Sequence, residues 1–230
     1  MQQQSVTPTL TSGDGIAAAL RGFGPAGIFA IAVVVAGSLV ATALGAVLVL
    51  AWARWSRTPW RELGYVRPKS WLRAAAVAFV SGVAFKFLLK AIVMPLFGAP
   101  AINPKYHYLA GNTAALPGIV SAVIVSAGFA EETVYRGYLF ERLGKLLGTG
   151  LLAKTAIVVI TSALFAIAHI SDQGIAGAEQ AAITGLAFGA VFSVIGEIWT
   201  VMVAHAAFDL AAVAIIYWGL EAKVAHFVFN

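Results

Sequence analysis

Residues 116–137 read LPGIVSAVIVSAGFAEETVYRG, an apolar run that passes without interruption into Glu131, Glu132 and Arg136. The surrounding chain is poor in charge. It has 15 Lys and Arg and 10 Asp and Glu among 230 residues, and 60% of its side chains are hydrophobic. Its mean hydropathy is +0.88. An ionisable group inside lipid is costly and persists mainly where it is paired or has a task. Two acids side by side at the end of an apolar run therefore mark both the fold class and the place to look for function.

Working outward, residues 22–53, 106–130, 155–171, 180–196 and 198–208 contain no Asp, Glu, Lys or Arg. A helical span needs about 20 mostly apolar residues. Six spans are predicted, at about 25–53, 71–97, 116–147, 151–170, 180–196 and 198–220. No segment alternates with a strand period, and no repeat is evident. The expectation is an all-α integral membrane protein, a polytopic bundle of about six transmembrane helices with an intramembrane polar site. A mobile N-terminal tail over 1–24 would precede a single transmembrane domain over 25–230. The first apolar run is too long for the core of a cleaved signal peptide. The absence of cysteine excludes disulfides, a thiolate nucleophile and Cys metal ligands.

The loop between the first two spans carries Arg54, Arg57, Arg61, Arg67, Lys69 and Arg73 against Glu62. Such a loop is retained in the cytoplasm. Trp52, Trp55, Trp60 and Trp71 flank it as an interfacial belt. Arg142, Lys145 and Lys154 place a second loop on the same side, and the loops holding Lys105 and Asp172/Glu179 read as external. The net charge of +5 lies mostly in the first loop and suits an anionic membrane surface better than nucleic acid. Lys86 and Lys90, a turn apart within the second span, either snorkel or line a wet cavity, or else meet a substrate carboxylate.

Helix geometry separates the two acids. Neighbouring residues point about 100° apart, so Glu131 and Glu132 are expected on different faces. Glu132 and Arg136 stand at i,i+4 with the acid first, the favoured order for a pair; Glu141 and Lys145 repeat it. Glu131 is left as the free acid. A hairpin turning at Gly148-Thr149-Gly150 places Glu131 level with His169 on the next helix, with Phe165 one turn earlier as a wall against lipid. His205 and Asp209 share a face of the last span. By equal rise, His205 and His169 differ in depth by roughly 15 Å, unless residues 171–177 dip as a loop.

The ordered pattern Glu-Glu-x-x-x-Arg (Glu131, Glu132, Arg136), Phe-x-x-x-His (Phe165, His169) and His-x-x-x-Asp (His205, Asp209) resembles the CAAX protease and bacteriocin-processing family. These intramembrane endopeptidases include the type II CAAX prenyl protease. The resemblance covers about residues 116–215. It implies an intramembrane peptide hydrolase with Glu131 as general base, His169 as its partner in activating water, and His205 and Asp209 steadying the oxyanion. Glu132, Arg136 and Phe165 become structural or substrate-supporting. The last position is Asp209 where the prenyl proteases usually carry Asn, and an ionised Asp209 would orient His205 rather than donate.

No cofactor is favoured. Zinc is the alternative, with Glu131, His169 and His205 as ligands, although the helical His-Glu-x-x-His motif is absent. The implied partners are membrane lipid and a peptide or membrane-protein substrate, CAAX-like or not, lipidated or not, with no nucleic acid. The implied location is a multi-pass membrane protein, in the plasma membrane for a bacterial source. Two other function classes fit the same polar groups: a proton- or ion-coupled transporter, and a non-catalytic immunity or assembly factor.

Overall fold

The computed structural model describes residues 12–229. Among them there is no strand, and the protein is an all-α membrane protein. The chain forms two compact units, Met1–Pro59 and Trp60–Asn230.

The first unit holds α1 (Ser12–Arg21), α2 (Pro25–Val40) and α3 (Thr42–Trp55). Of the tail predicted over 1–24, residues 1–11 lie outside the described residues, whereas residues 12–21 are helical. The indole Nε1–H of Trp52 donates to the Leu20 carbonyl at 3.0 Å. The single span predicted at about 25–53 is corrected. It breaks at Ala41, whose backbone is extended (φ −159°, ψ 129°), and its arms fold back on one another. Gly37 packs on Leu48, and Gly45 packs on Ser38. The charge-free run shows how much apolar chain there is but not where it turns. Small residues on the facing sides let the two arms close.

In the second unit, α4 (Trp71–Leu96) and α5 (Thr113–Leu147) match the second and third predicted spans. The Ser70 side chain caps α4 by accepting from the Arg73 N–H, and Gly148 at φ 92° ends α5. Four helices among the described residues are long and apolar enough to cross a bilayer: Trp71–Leu96, Thr113–Leu147, Leu151–Ile195 and Ile198–Tyr217. The third of these is not straight. Gly174 inside it has φ 67° and ψ −167°, a region essentially confined to glycine. Gly185 meets Ser162 and Gly189 meets Val158, and the Lys154 ammonium donates to the Ser193 carbonyl at 3.2 Å. These pairs are all centred on Gly174, so residues 151–173 (α6) and 175–195 (α7) form an antiparallel hairpin. The dipping loop expected at 171–177 is thus replaced by a one-residue turn. Ile198–Tyr217 is α8, and Glu221–Ala225 is the short α9.

Helix α8 runs through the middle of this unit. A Cβ on Gly82 of α4 would run into the Ala204 carbonyl, and one on Gly128 of α5 would lie 2.9 Å from the Ala206 Cβ. Glycine on both neighbours therefore allows near backbone contact on two sides of α8. Phe188, Phe192, Ile198, Val201, Met202 and Phe208 fill the surrounding core.

The loops sort to two ends. Lys145 pairs with Glu62 at 2.8 Å, and Ile198 N–H donates to the Gly64 carbonyl at 2.8 Å. The expected Glu141–Lys145 pair does not form; Glu141 pairs with Arg142 instead. At the opposite end Lys105 pairs with Asp172, and Asn103 N–H donates to the Glu221 carboxylate at 2.7 Å.

Candidate active site

The two acids of the opening stretch sit where α5 leaves regular α-helix. Val123–Glu131 and Thr133–Leu139 are π-helical. Wider turns of this kind are rare and concentrate at functional sites. Glu132 is fully buried and accepts from Arg136 Nη1 at 2.8 Å, as its i,i+4 spacing predicts. Arg136 also donates to the Gly185 carbonyl at 3.4 Å, and its guanidinium lies 5.0 Å from the Phe165 ring centre.

The surprise is His205. Its Nδ1 lies 2.7 Å from the same Glu132 Oε1 that Arg136 holds. A carboxylate bound to a guanidinium accepts, so Nδ1–H is the donor and the ring orientation is set. Nε2 then points the other way, 3.8 Å from Glu131 Oε2 and 3.6 Å from Asp209 Oδ2. Glu131 and Glu132 therefore do converge, contrary to the expectation that they serve separate faces. One imidazole stands between them and uses a different nitrogen for each. The 100° rule describes ideal α-helix, and this stretch is not one.

His169 is placed differently. Its Nδ1 lies 2.7 Å from the Phe165 carbonyl oxygen, which can only accept, so Nδ1–H donates there. That leaves Nε2 as the ring's acceptor. Phe165, 2% exposed, lies 4.4 Å from the His169 ring, 6.0 Å from His205 and 4.9 Å from Tyr135 by centroids. The two imidazoles flank this one phenylalanine, so they lie closer than the depth difference of roughly 15 Å expected from equal rise. The close ion-pair partner of Glu131 is His205 rather than His169.

Glu131, His169, His205 and Asp209 all line one cavity of about 450 Å³. Residues 113–211 match the family model described as type II CAAX prenyl endopeptidase Rce1-like. Over these residues the chain is similar to that family. No curated protein and no solved structure matches the chain. The Rce1-like segment contains every residue of the three motifs, from Glu131 to Asp209.

Part of the cavity is built from outside the Rce1-like segment, by Lys86, Lys90, Asn103, Tyr106 and Glu221. Tyr106 was not foreseen. Burial, with the carboxylates of Asp172, Asp209 and Glu131 adding to it, pushes its phenol up to about 12, so at neutral pH it is a neutral donor. Its one signal in the sequence is a tyrosine between external Lys105 and His107. Among the described residues no group of three or more His, Asp or Glu side chains is arranged to hold a metal ion.

Proposed function

We propose that the chain is an intramembrane endopeptidase that hydrolyses a peptide bond by water activated at Glu131. The observation that carries this reading is the convergence of Glu131, His205 and Asp209 at a cavity also lined by His169. Glu131 removes a proton from water, and the His169 Nε2 lone pair aligns the other hydrogen. The resulting hydroxide attacks the scissile carbonyl carbon. His205, held at Nδ1 by the Glu132 carboxylate that Arg136 also binds, donates from a protonated Nε2 to the oxyanion as charge develops. Asp209, whose carboxylate lies 3.6 Å from that nitrogen, orients the donor. Glu131 returns its proton to the leaving amine as the C–N bond breaks. General-base action is worth about 10²–10⁴-fold, and one oxyanion donor about 10²–10³-fold.

The substrate is a membrane-associated peptide, CAAX-like or otherwise, and the site is the plasma membrane where the source is bacterial. The test is cleavage of a quenched peptide by purified protein in detergent. Glu131→Gln and His169→Ala should each lower turnover by about 10²-fold or more, and a chelator should leave the wild type unchanged. Full turnover by Glu131→Gln would overturn the mechanism. Loss on chelation, restored by zinc, would overturn its metal-free form.

A further inference from the structure

Depth along the helices decides which side of the membrane the cavity serves. Its innermost lining residues are Lys86 on α4, Glu131 on α5, Phe165 on α6, Thr184 on α7 and His205 on α8. On each helix every further lining residue lies toward the end that holds Asn103 and Glu221. Asn103, Pro104 and Tyr106, from the segment between α4 and α5, line the cavity at that end. Among the described residues none from the basic loops at 56–70 and 142–154 lines it.

Toward the basic loops the unit is packed. Arg136, Phe188, Phe192, Ile198 and Val201 lie there, each at most 7% exposed. A smaller hollow of about 220 Å³ beside Arg61 and Lys154 shares no lining residue with the cavity. The innermost cavity residues stand about 10–24 Å of helix from this end, at 1.5 Å per residue. Arg61, Arg67, Lys69, Arg73, Lys145 and Lys154 belong to its loops, whereas the segments at the cavity end carry Lys105 and Lys223. Basic loops are retained in the cytoplasm, so the packed half is the cytoplasmic one. The outer rim is apolar: Ile102 and Ile175 line the cavity and are 46% and 76% exposed.

We infer that the cavity takes its substrate from the non-cytoplasmic face of the membrane, as an exposed stretch of polypeptide with apolar side chains. Calling this ligand a substrate rests on the endopeptidase reading; the side of access rests on packing and charge alone. A protein tail that stays in the cytoplasm, lipidated or not, would have to pass the packed half to reach Glu131 and is excluded as substrate.

The test compares right-side-out and inverted membrane vesicles carrying the full-length protein. The probe is a charged, quenched peptide with an apolar cleavage region that does not cross the bilayer, and Glu131→Gln vesicles give the background. Right-side-out vesicles should cleave it at nearly the rate seen after detergent is added. Inverted vesicles should show no cleavage above background until detergent opens them. A second arm reads access without turnover. Ser126 lines the cavity, and the chain has no cysteine. Ser126→Cys should react with a charged methanethiosulfonate added to intact cells, and inverted vesicles should protect it. Cleavage by inverted vesicles alone, or equally by both kinds, overturns the inference. So does a Ser126→Cys that reacts only from the inner face or from neither. No cleavage even in detergent removes the endopeptidase reading, and the Ser126→Cys labelling then decides the side of access by itself. Should Ser126→Cys fail to fold, the wild-type vesicles decide.

Discussion

His205 is where two neighbouring glutamates meet, and it gives them different work. Glu132 Oε1 accepts from Arg136 and His205 together, with all three side chains at most 5% exposed. Glu131 keeps a partly exposed carboxylate facing the cavity, with 15% of its side chain accessible. Removing one partner from a buried ion pair leaves the other uncompensated. Glu132→Ala should therefore lower stability by about 3–5 kcal/mol, read as thermal unfolding in detergent. Glu131→Gln should melt close to the wild type while losing activity. A Glu132→Ala protein as stable as the wild type would refute the shared-carboxylate arrangement. The Glu132–Arg136 pair was legible in the sequence because i,i+4 spacing depends on one helix alone. The convergence on His205 was not, because it needs the register of α8 against α5 and the π-helical turns of α5.

Among the elements, glycine decides how closely helices approach. Gly82 and Gly128 face α8 from opposite neighbours, and any Cβ there meets Ala204 or Ala206. Valine at either position should push apart the helices that carry the lysines or the glutamates from the one that carries His205 and Asp209. The expected result is lower thermal stability together with loss of peptide cleavage. Cleavage at the wild-type rate would show that this spacing is not critical. Gly174 differs in kind. Nothing lies within 4 Å of a Cβ built there, but its φ of 67° is strained for any L side chain. Gly174→Ala should cost about 1–3 kcal/mol through the backbone alone, and a variant with unchanged melting would show that the hairpin turn can relax. Spans two to six were readable from apolar length. The fold-back at Ala41 was not, because nothing in a charge-free run of small residues marks an interruption.

Across the whole second unit, the polar cavity and the basic loops lie toward opposite ends. Glu62 and Lys145 meet at one end, while cavity residues Asn103 and Glu221 meet at the other. Positive loops are retained in the cytoplasm, so the cavity should open away from it. The chain has no cysteine, which makes single-cysteine labelling clean. Lys105→Cys should react with a membrane-impermeant maleimide in intact cells, and Lys69→Cys only after permeabilisation. The reverse pattern would invert the topology and with it the side from which substrate enters.

Sequence alone determined the all-α membrane class, the Glu132–Arg136 pair and the ordered motifs that lie within the segment matched by the family model. All of these are set by composition or by spacing within one helix. Only the tertiary structure decided that both glutamates share one imidazole, that the first apolar run is folded back, and that Lys86 and Lys90 face the same cavity as the motif residues. Those facts depend on depth and rotation between helices. Glycine contacts, a π-helical stretch and single-residue turns set them, and none of these leaves a periodic trace in the chain.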